Sequence, residues 1–259
     1  MLTSTFSLIE SDRSTLTPLF AEHRHLQTII RAILEAEMGT AVTDNPAKPN
    51  VANLQLEFNF LGGDATHPAA VELVKGIKGT AVIPNEQWRN LIYQIHGERV
   101  KPHTRYACDG AQLSITHLQP LAANLPAEFV VKKLDLPLAQ QIRRDVSPDL
   151  VDNFGSAEAF MAKGLGFCAL HVPTGRIACG ASTFAACGHD IEIEIDTHPH
   201  YRRQGLATAV AAHLIIYCLQ NNITPHWDAH NPTSARLAQR LGYQMLGAYE
   251  TYHIKKSGN

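Results

Sequence analysis

Apolar residues along this chain change period repeatedly, and each change marks an element. Between Ser14 and about Glu37, Leu16, Leu19, Phe20, His23, Leu26, Ile30, Ile33 and Leu34 recur at intervals of three and four. This predicts one amphipathic helix, with Thr17 as its cap, Pro18 in its first turn and Gly39 as its stop. The period then drops to two. Leu54, Leu56, Phe58 and Phe60 alternate with polar neighbours and predict a strand ending at Gly62-Gly63-Asp64. The glycine pair lacks a P-loop lysine and the spacing of a dinucleotide fingerprint, so it reads as a tight turn. A short helix over Pro68 to Lys75, a strand over GTAVIP and a helix from Pro84 to Gly97 follow, with weaker strands at Thr104 to Cys108 and Ala111 to His117. Strands and helices in alternation describe an α/β lobe of roughly a hundred residues.

Leu121 to Glu128, with Pro126, reads as a linker. The expected division is therefore an N-terminal α/β lobe over residues 1–127, with a substrate or accessory role, and a second domain over 128–259. The second domain opens with a strand at Phe129 to Lys133 and a helix from Pro137 to Arg144. Ser147 and Ser156 sit where caps of two further short helices belong. A hairpin follows, Gly166 to Val172 and Arg176 to Cys187, turning at Pro173-Thr174-Gly175. After the next strand and helix come a strand from Thr224 to His230, a helix from Thr233 to Leu241 stopped by Gly242, and a last strand from Tyr243 to His253. No residue pattern repeats along the chain.

The central strand and helix of this domain are IEIEIDTHPHYRRQGLA, Ile191 to Ala207, and the apolar segment after it. Ile191, Ile193 and Ile195 fall on one side of an extended chain, and Glu192, Glu194 and Asp196 on the other. Pro199 ends the strand, Tyr201-Arg202-Arg203-Gln204-Gly205 forms a basic turn, and helix formers run on from Leu206. Unpaired amides in a helix's first turn, the positive end of its dipole and two adjacent arginines together suit a ligand with several negative charges, such as a diphosphate.

Composition narrows the class. The 259 residues are 45% hydrophobic and 18% charged, with 22 basic against 24 acidic residues. That near-neutral balance provides no global field to recruit nucleic acid or a membrane surface. Five scattered cysteines without a CxxC fit free thiols in a reducing compartment. MLTSTFSLIE has no basic region ahead of a long apolar core, and the apolar helix near Val210 is short and interrupted by His213, so a soluble cytoplasmic protein is expected.

Arg202-Arg203-Gln204-Gly205-Leu206-Ala207 resembles the Arg/Gln-x-x-Gly-x-Gly/Ala acyl-CoA signature of the GNAT acetyltransferase superfamily, and WDAHNPTSARLAQRLGY resembles that family's second cofactor segment. The order of elements from about Phe129 to Ile254 also resembles the GNAT fold. The expected fold class is thus α/β (α+β), a C-terminal GNAT acyl-CoA N-acyltransferase fold with a mixed central sheet behind the smaller lobe. FMAKGLGFCAL, IDTHPHYRRQGLATAVAAHLI, WDAHN and LGY look like the two-domain branch containing the zwittermicin-resistance type.

The resemblance implies acetyl-CoA as co-substrate and a small-molecule primary amine as acceptor, attacking directly in a ternary complex. It assigns the diphosphate to Arg202, Arg203, Gln204, Gly205, Leu206, Ala207 and Thr208. It assigns the pantetheine arm to the main chain of Ile195, Asp196 and Thr197 and to Asn231 and Ser234. Asn231 also reads as a helix cap before Pro232. Glu192 and Glu194 are the candidates for the base or for holding a cationic amine, and Asp228 and His230 are candidate polar groups facing the substrate. The spacing of His226, Asp228 and His230 would put all three on one strand face, as metal ligands are often spaced. Thioester aminolysis needs no metal, and none is expected. The tyrosine that many relatives carry seven residues after the asparagine is Ala238 here, so no general acid is named. A non-catalytic acyl-CoA-binding module and a peptide or protein N-acetyltransferase are the competing readings.

Overall fold

The computed structural model describes residues 6–10, 12–35 and 38–255. The chain divides into two units, one made of the residues up to 105 together with those from 248, the other of residues 106–247. The expected linker boundary at 127/128 lies inside the second unit.

In the first unit, β1 (Ser7–Leu8) pairs antiparallel with β2 (Thr40–Thr43). The helix expected between them is broken in two, a 3-10 helix at Ser14–Phe20 and α1 (Gln27–Leu34). The break has a backbone cause: Leu26, at the start of α1, takes φ +57°, which no helix can pass through. The buried Arg13 guanidinium then ties the second piece down, donating to the carbonyls of Ile33 (2.6 Å), Met38 (3.1 Å) and Gly39 (3.2 Å). Ala36 and Glu37, at the expected end of that helix, lie outside the described residues.

The strand expected from Val51 to Asp64 is a hairpin of β3 (Val51–Gln55) and β4 (Phe58–Gly63), with Leu54 opposite Phe60. It turns at Leu56-Glu57, where the Leu56 amide donates to the Phe58 carbonyl (3.2 Å). After α2 (Pro68–Gly76) comes β5 (Gly79–Val82), parallel to β4, then α3 (Glu86–His96) and β6 (Val100–Asp109). Trp88, Leu61, Val74 and Ile92 close the core and are fully buried. Each such side chain contributes about 1.5–3 kcal/mol through burial.

The second unit starts with a correction. Ala111 to His117 is no strand; Ser114 stands at the N-cap position of α4 (Ile115–Ala123), which buries Leu118, and the expected linker begins within that helix. There follow β7 (Phe129–Lys133), α5 (Leu136–Asp145), two 3-10 turns and α6 (Ala157–Lys163). The caps read from the sequence are in place, with Ser147 Oγ accepting from the Asp149 amide and Ser156 Oγ from the Ala159 amide. Next are β8 (Gly166–His171), β9 (Arg176–Cys187), β10 (Asp190–Thr197), α7 (Leu206–Gln220) and β11 (Thr224–His226). The chain ends with β12 (Asp228–Ala229), α8 (Pro232–Leu241) and β13 (Gln244–Ile254). The sheet order is β11-β10-β9-β8-β7. Val210, Leu214, Ile215 and Cys218 seat α7 against the core beside Ile191 and Ile193.

Topology reveals a duplication that residue patterns do not. β1 to β4 pair antiparallel in succession, and β5 joins β4 in parallel after α2. β7 to β10 pair antiparallel in succession, and β11 joins β10 in parallel after α7. Each series then continues through a helix to a long strand, α3 to β6 and α8 to β13. The last strands are exchanged. Residues Tyr252 to Ile254 of β13 pair with β5 in the first unit, while Tyr106 and Ala107 of β6 pair with β12 in the second. Among the described residues no helix is long and apolar enough to cross a membrane.

Candidate active site

A cavity of about 780 Å³ opens in the second unit beside the end of β10 and the start of α7. It is built first by a strand that loses its neighbour. β11 accompanies β10 only from Asp190 to Glu192 and stops at His226; Trp227 then interrupts the strand, and β12 joins β6 instead. The single strand expected from Thr224 to His230 is therefore two strands in two sheets. Among the described residues, none forms a strand beside the edge of β10 that faces away from β9 from Ile193 onward.

Side chains cover part of that edge. The Ile195 amide donates to Glu194 Oε1 (3.2 Å), the Thr197 amide to Asp196 Oδ1 (2.7 Å), and Arg202 Nε donates to the Thr197 carbonyl (3.1 Å). Burial pushes the Asp196 carboxyl above its ordinary value, against the Thr197 amide and the nearby Arg202, which pull it down. Since this folded-state value is raised, ionisation of Asp196 opposes folding as pH rises through it, and below the unfolded value the effect vanishes. Asp196→Asn keeps the accepting oxygen without the charge. Its thermal midpoint is expected to match that of the parent near pH 3 and to exceed it at pH 7. A lower midpoint at pH 7 by scanning calorimetry would overturn this assignment.

The turn after β10 is held by Tyr201, whose ring meets Phe129 edge-on at 5.7 Å and packs against His171 at 5.4 Å. Two residues of the turn are left-handed, Arg203 at φ +64° and Gly205 at φ +82°. A non-glycine residue held there at a cost of about 1–3 kcal/mol points to a shape that the site requires. Gly205 is the N-cap of α7 and provides no side-chain acceptor. The first intrahelical bond runs from the Ala209 amide to the Gly205 carbonyl (3.2 Å), so the amides of Leu206, Ala207 and Thr208 have no acceptor within the helix. The opposite wall is α8. Asn231 Oδ1 caps it, accepting from Thr233 (2.9 Å) and Ser234 (3.0 Å), and Trp227 Nε1 donates to Ser234 Oγ (3.1 Å). The cap uses only the Asn231 oxygen, which leaves the side-chain amide group as a donor.

The sequence-predicted cofactor residues converge here. Ile195, Asp196, Thr197, Arg202, Arg203 and Gly205 line the cavity, and so do Leu206, Ala207, Thr208, Asn231 and Ser234; Gln204 does not. Sequence reasoning missed Tyr201, Trp227, Thr233, Arg236, Leu237 and Arg240 on the same walls. The i, i+4 spacing of Arg236 and Arg240 on a helix next to Asn231 was the available signal. The cavity has the character a thioester of CoA requires, with arginines and bare amides on its rim and Ile195, Leu206, Trp227 and Leu237 as apolar surface.

The candidate acidic residues lie elsewhere. Glu192 was expected on a polar strand face but is buried, at 6% exposure. It clusters with Asp228, Cys108 and Tyr243. Burial, then Asp228 and Glu192, pushes the Cys108 thiol to about 12, and burial with Glu192 drives the Tyr243 phenol well above its ordinary value. The Tyr243 hydroxyl donates to the Pro225 carbonyl (2.9 Å). Glu194 is half-buried, and His230 is exposed beyond β12. His226, Asp228 and His230 do not share a strand face, because the break at Trp227 separates them, and His226 Nε2 pairs with Asp190 Oδ1 (2.9 Å). Ala238, at the position where relatives carry tyrosine, is fully buried in the core.

The corresponding turn of the first unit is closed. After β4, Asp64 Oδ1 accepts from the Thr66 amide (2.8 Å), His67 Nδ1 accepts from the Ala69 amide (3.3 Å), and Pro68 has no amide hydrogen to offer. A Cβ on Gly63 would lie 2.0 Å from the Asn50 carbonyl oxygen, so that glycine serves its own hairpin.

Known proteins resemble the chain over both units. A family model described as GNAT acetyltransferase matches residues 17–252. A GCN5-related N-acetyltransferase-like protein from Streptococcus suis 89/1591 is 36% identical, with a TM-score of 0.84 over 94% of this chain and 98% of its own. The uncharacterized N-acetyltransferase YdfB of Bacillus subtilis (strain 168) is 33% identical over 132 residues, 50% of this chain; the match spans about half of that relative, 49% of its length. A tandem GNAT protein from the clavulanic acid biosynthesis pathway shares the fold, with a TM-score of 0.54 at 12% identity, over 98% of this chain and 100% of its own. With residues of both units inside one family match, the chain belongs to the GNAT acetyltransferase family.

Proposed function

We propose that this acyltransferase moves the acetyl group of acetyl-CoA to a primary amine of a small molecule, by direct attack in a ternary complex. The observation that carries the reading is the cavity where an uncapped, arginine-flanked helix start meets the open edge of β10. The diphosphate is assigned to the amides of Leu206 to Thr208 with Arg202, Arg203 and Gly205. The pantetheine arm is assigned to the Ile195–Thr197 edge and Asn231. For that arm to pair with the strand, Asp196 and Glu194 must release the amides they cover.

An alkyl ammonium near pKa ~10 has no lone pair and must lose a proton before it attacks. Glu192 is our choice for the base, with Asp228 beside it to favour a cationic acceptor; Glu194, committed to the Ile195 amide, is second. A freed edge amide of β10 is suited to donate to the tetrahedral oxyanion. With alanine at position 238, the thiolate departs without a tyrosine acid, which a thiol pKa of ~8.5 allows. A small acceptor also agrees with the resemblance to the zwittermicin-resistance branch.

The test is a panel of primary amines with acetyl-CoA and a free-thiol readout. Thiol release above hydrolysis is expected with small amines; binding of acetyl-CoA with no release for any amine would reassign the chain as a non-catalytic binder. The N-terminal lobe is given a substrate or accessory role, because its own turn is closed. Titration calorimetry should therefore find one acetyl-CoA per chain, and two equivalent sites would refute the closed-turn argument.

A further inference from the structure

Four arginines line the cavity, and only two belong to the turn before α7. Arg236 and Arg240 stand one helical turn apart on α8, so both project from one face of the facing wall. Among the described residues, no carboxylate lies within ion-pair distance of either, and Asp196 is the single acidic residue lining the cavity. Elsewhere Arg89 pairs with Glu86 at 3.1 Å and Arg143 with Asp152. Arg236 instead donates from Nη2 to Thr233 Oγ1 (3.0 Å) and keeps its remaining donors. Arg240 lies in the last turn of α8, where the helix dipole alone would favour a cation, but Arg236 lies mid-helix and gains nothing from it.

Resting on the acetyl-CoA reading, the charge count of the ligand makes sense of this second cationic wall. The two phosphates of the diphosphate are contiguous and are matched by the α7 amides with Arg202 and Arg203. The third phosphate is a monoester on the ribose, carrying close to two negative charges at neutral pH and separated from the diphosphate by the sugar. It calls for a second group of donors away from the helix start. We infer that Arg236 and Arg240 bind the 3′-phosphate of CoA and so restrict the donor to free acyl-CoA, discriminating against 3′-dephospho thioesters and against pantetheine thioesters carried on a protein.

The experiment is titration calorimetry with CoA and 3′-dephospho-CoA, on the full chain and on Arg236→Ala, Arg240→Ala and Arg202→Ala variants. The parent is expected to prefer CoA by about tenfold at low ionic strength, the scale of a charge-assisted phosphate contact at an exposed site. Each α8 variant should lose most of that preference by weakening CoA alone, and Arg202→Ala should weaken both ligands together. Equal affinity of the parent for both ligands would overturn the inference without needing any variant, while leaving the acyl-CoA reading in place. Equal losses for both ligands in the α8 variants would also overturn it. Binding of neither ligand by the parent would remove the acyl-CoA reading, and this inference with it.

Discussion

Replacing Arg202 and Gly205 together by alanine is expected to weaken acetyl-CoA binding about a hundredfold while leaving the fold intact. Arg202 is fixed by its Nε bond to the Thr197 carbonyl, which holds the rest of the guanidinium at the cavity rim. A hydrogen bond to a charged group contributes about 1.5–3 kcal/mol, less where solvent screens it. Gly205 adds a different loss. Its φ of +82° costs an alanine about 1–2 kcal/mol, and relief of that strain moves the α7 amides off their aim. A hundredfold corresponds to about 2.7 kcal/mol, within reach of the two effects together. A Cβ at Gly205 meets nothing within 4 Å, so overpacking does not confuse the result. Calorimetry with an unchanged affinity would show that the cavity is not where acetyl-CoA binds.

Glu192→Gln should lower kcat about a hundredfold or more, with little change in KM for acetyl-CoA. Glutamine preserves the shape of the side chain but cannot accept the amine proton, and a well-placed general base contributes about 10²–10⁴ in rate. Glu192 does not line the cavity beside α7 that is proposed to hold acetyl-CoA, which is why the acetyl-CoA KM is the control. Glu194→Gln, beside it on the same strand, should lose less than tenfold. If kcat survives in Glu192→Gln and the amine KM rises instead, Glu192 binds the cationic acceptor and is not the base. Steady-state kinetics on the best amine of the panel distinguish these outcomes.

Features written into contiguous residues were legible in the sequence. The turn from Arg202 to Gly205, the caps at Ser147, Ser156 and Asn231, and the strand at β7 depend on neighbours a few positions away, so composition and spacing sufficed. What escaped was decided at long range. The hairpin at Leu56-Glu57 has no turn-forming residue and is set by the pairing of Leu54 with Phe60. The break at Trp227 follows from β12 finding a partner in β6 rather than beside β10, and no local signal distinguishes it from a continuous strand. Burial of Glu192 has the same origin, because period-two alternation assigns a polar residue to a face without saying what covers that face. The duplication was invisible because it lies in the order of pairing, shared by segments with no residue pattern in common.

The exchange of last strands bears on how the protein is made. Translation releases the chain from its N-terminus, and domains generally fold in that order. Here β5 emerges early, but its antiparallel neighbour is formed by Tyr252 to Ile254, near the opposite end of the chain. At a ribosomal pace of about 5–20 residues per second, roughly 10–30 s pass between the two. Throughout that interval the nascent first unit presents an unfilled strand edge, the kind of template that invites pairing with another chain. The second unit has its borrowed strand, β6, in hand before its own first strand is synthesised. The half of the molecule that begins first is thus the one that finishes last.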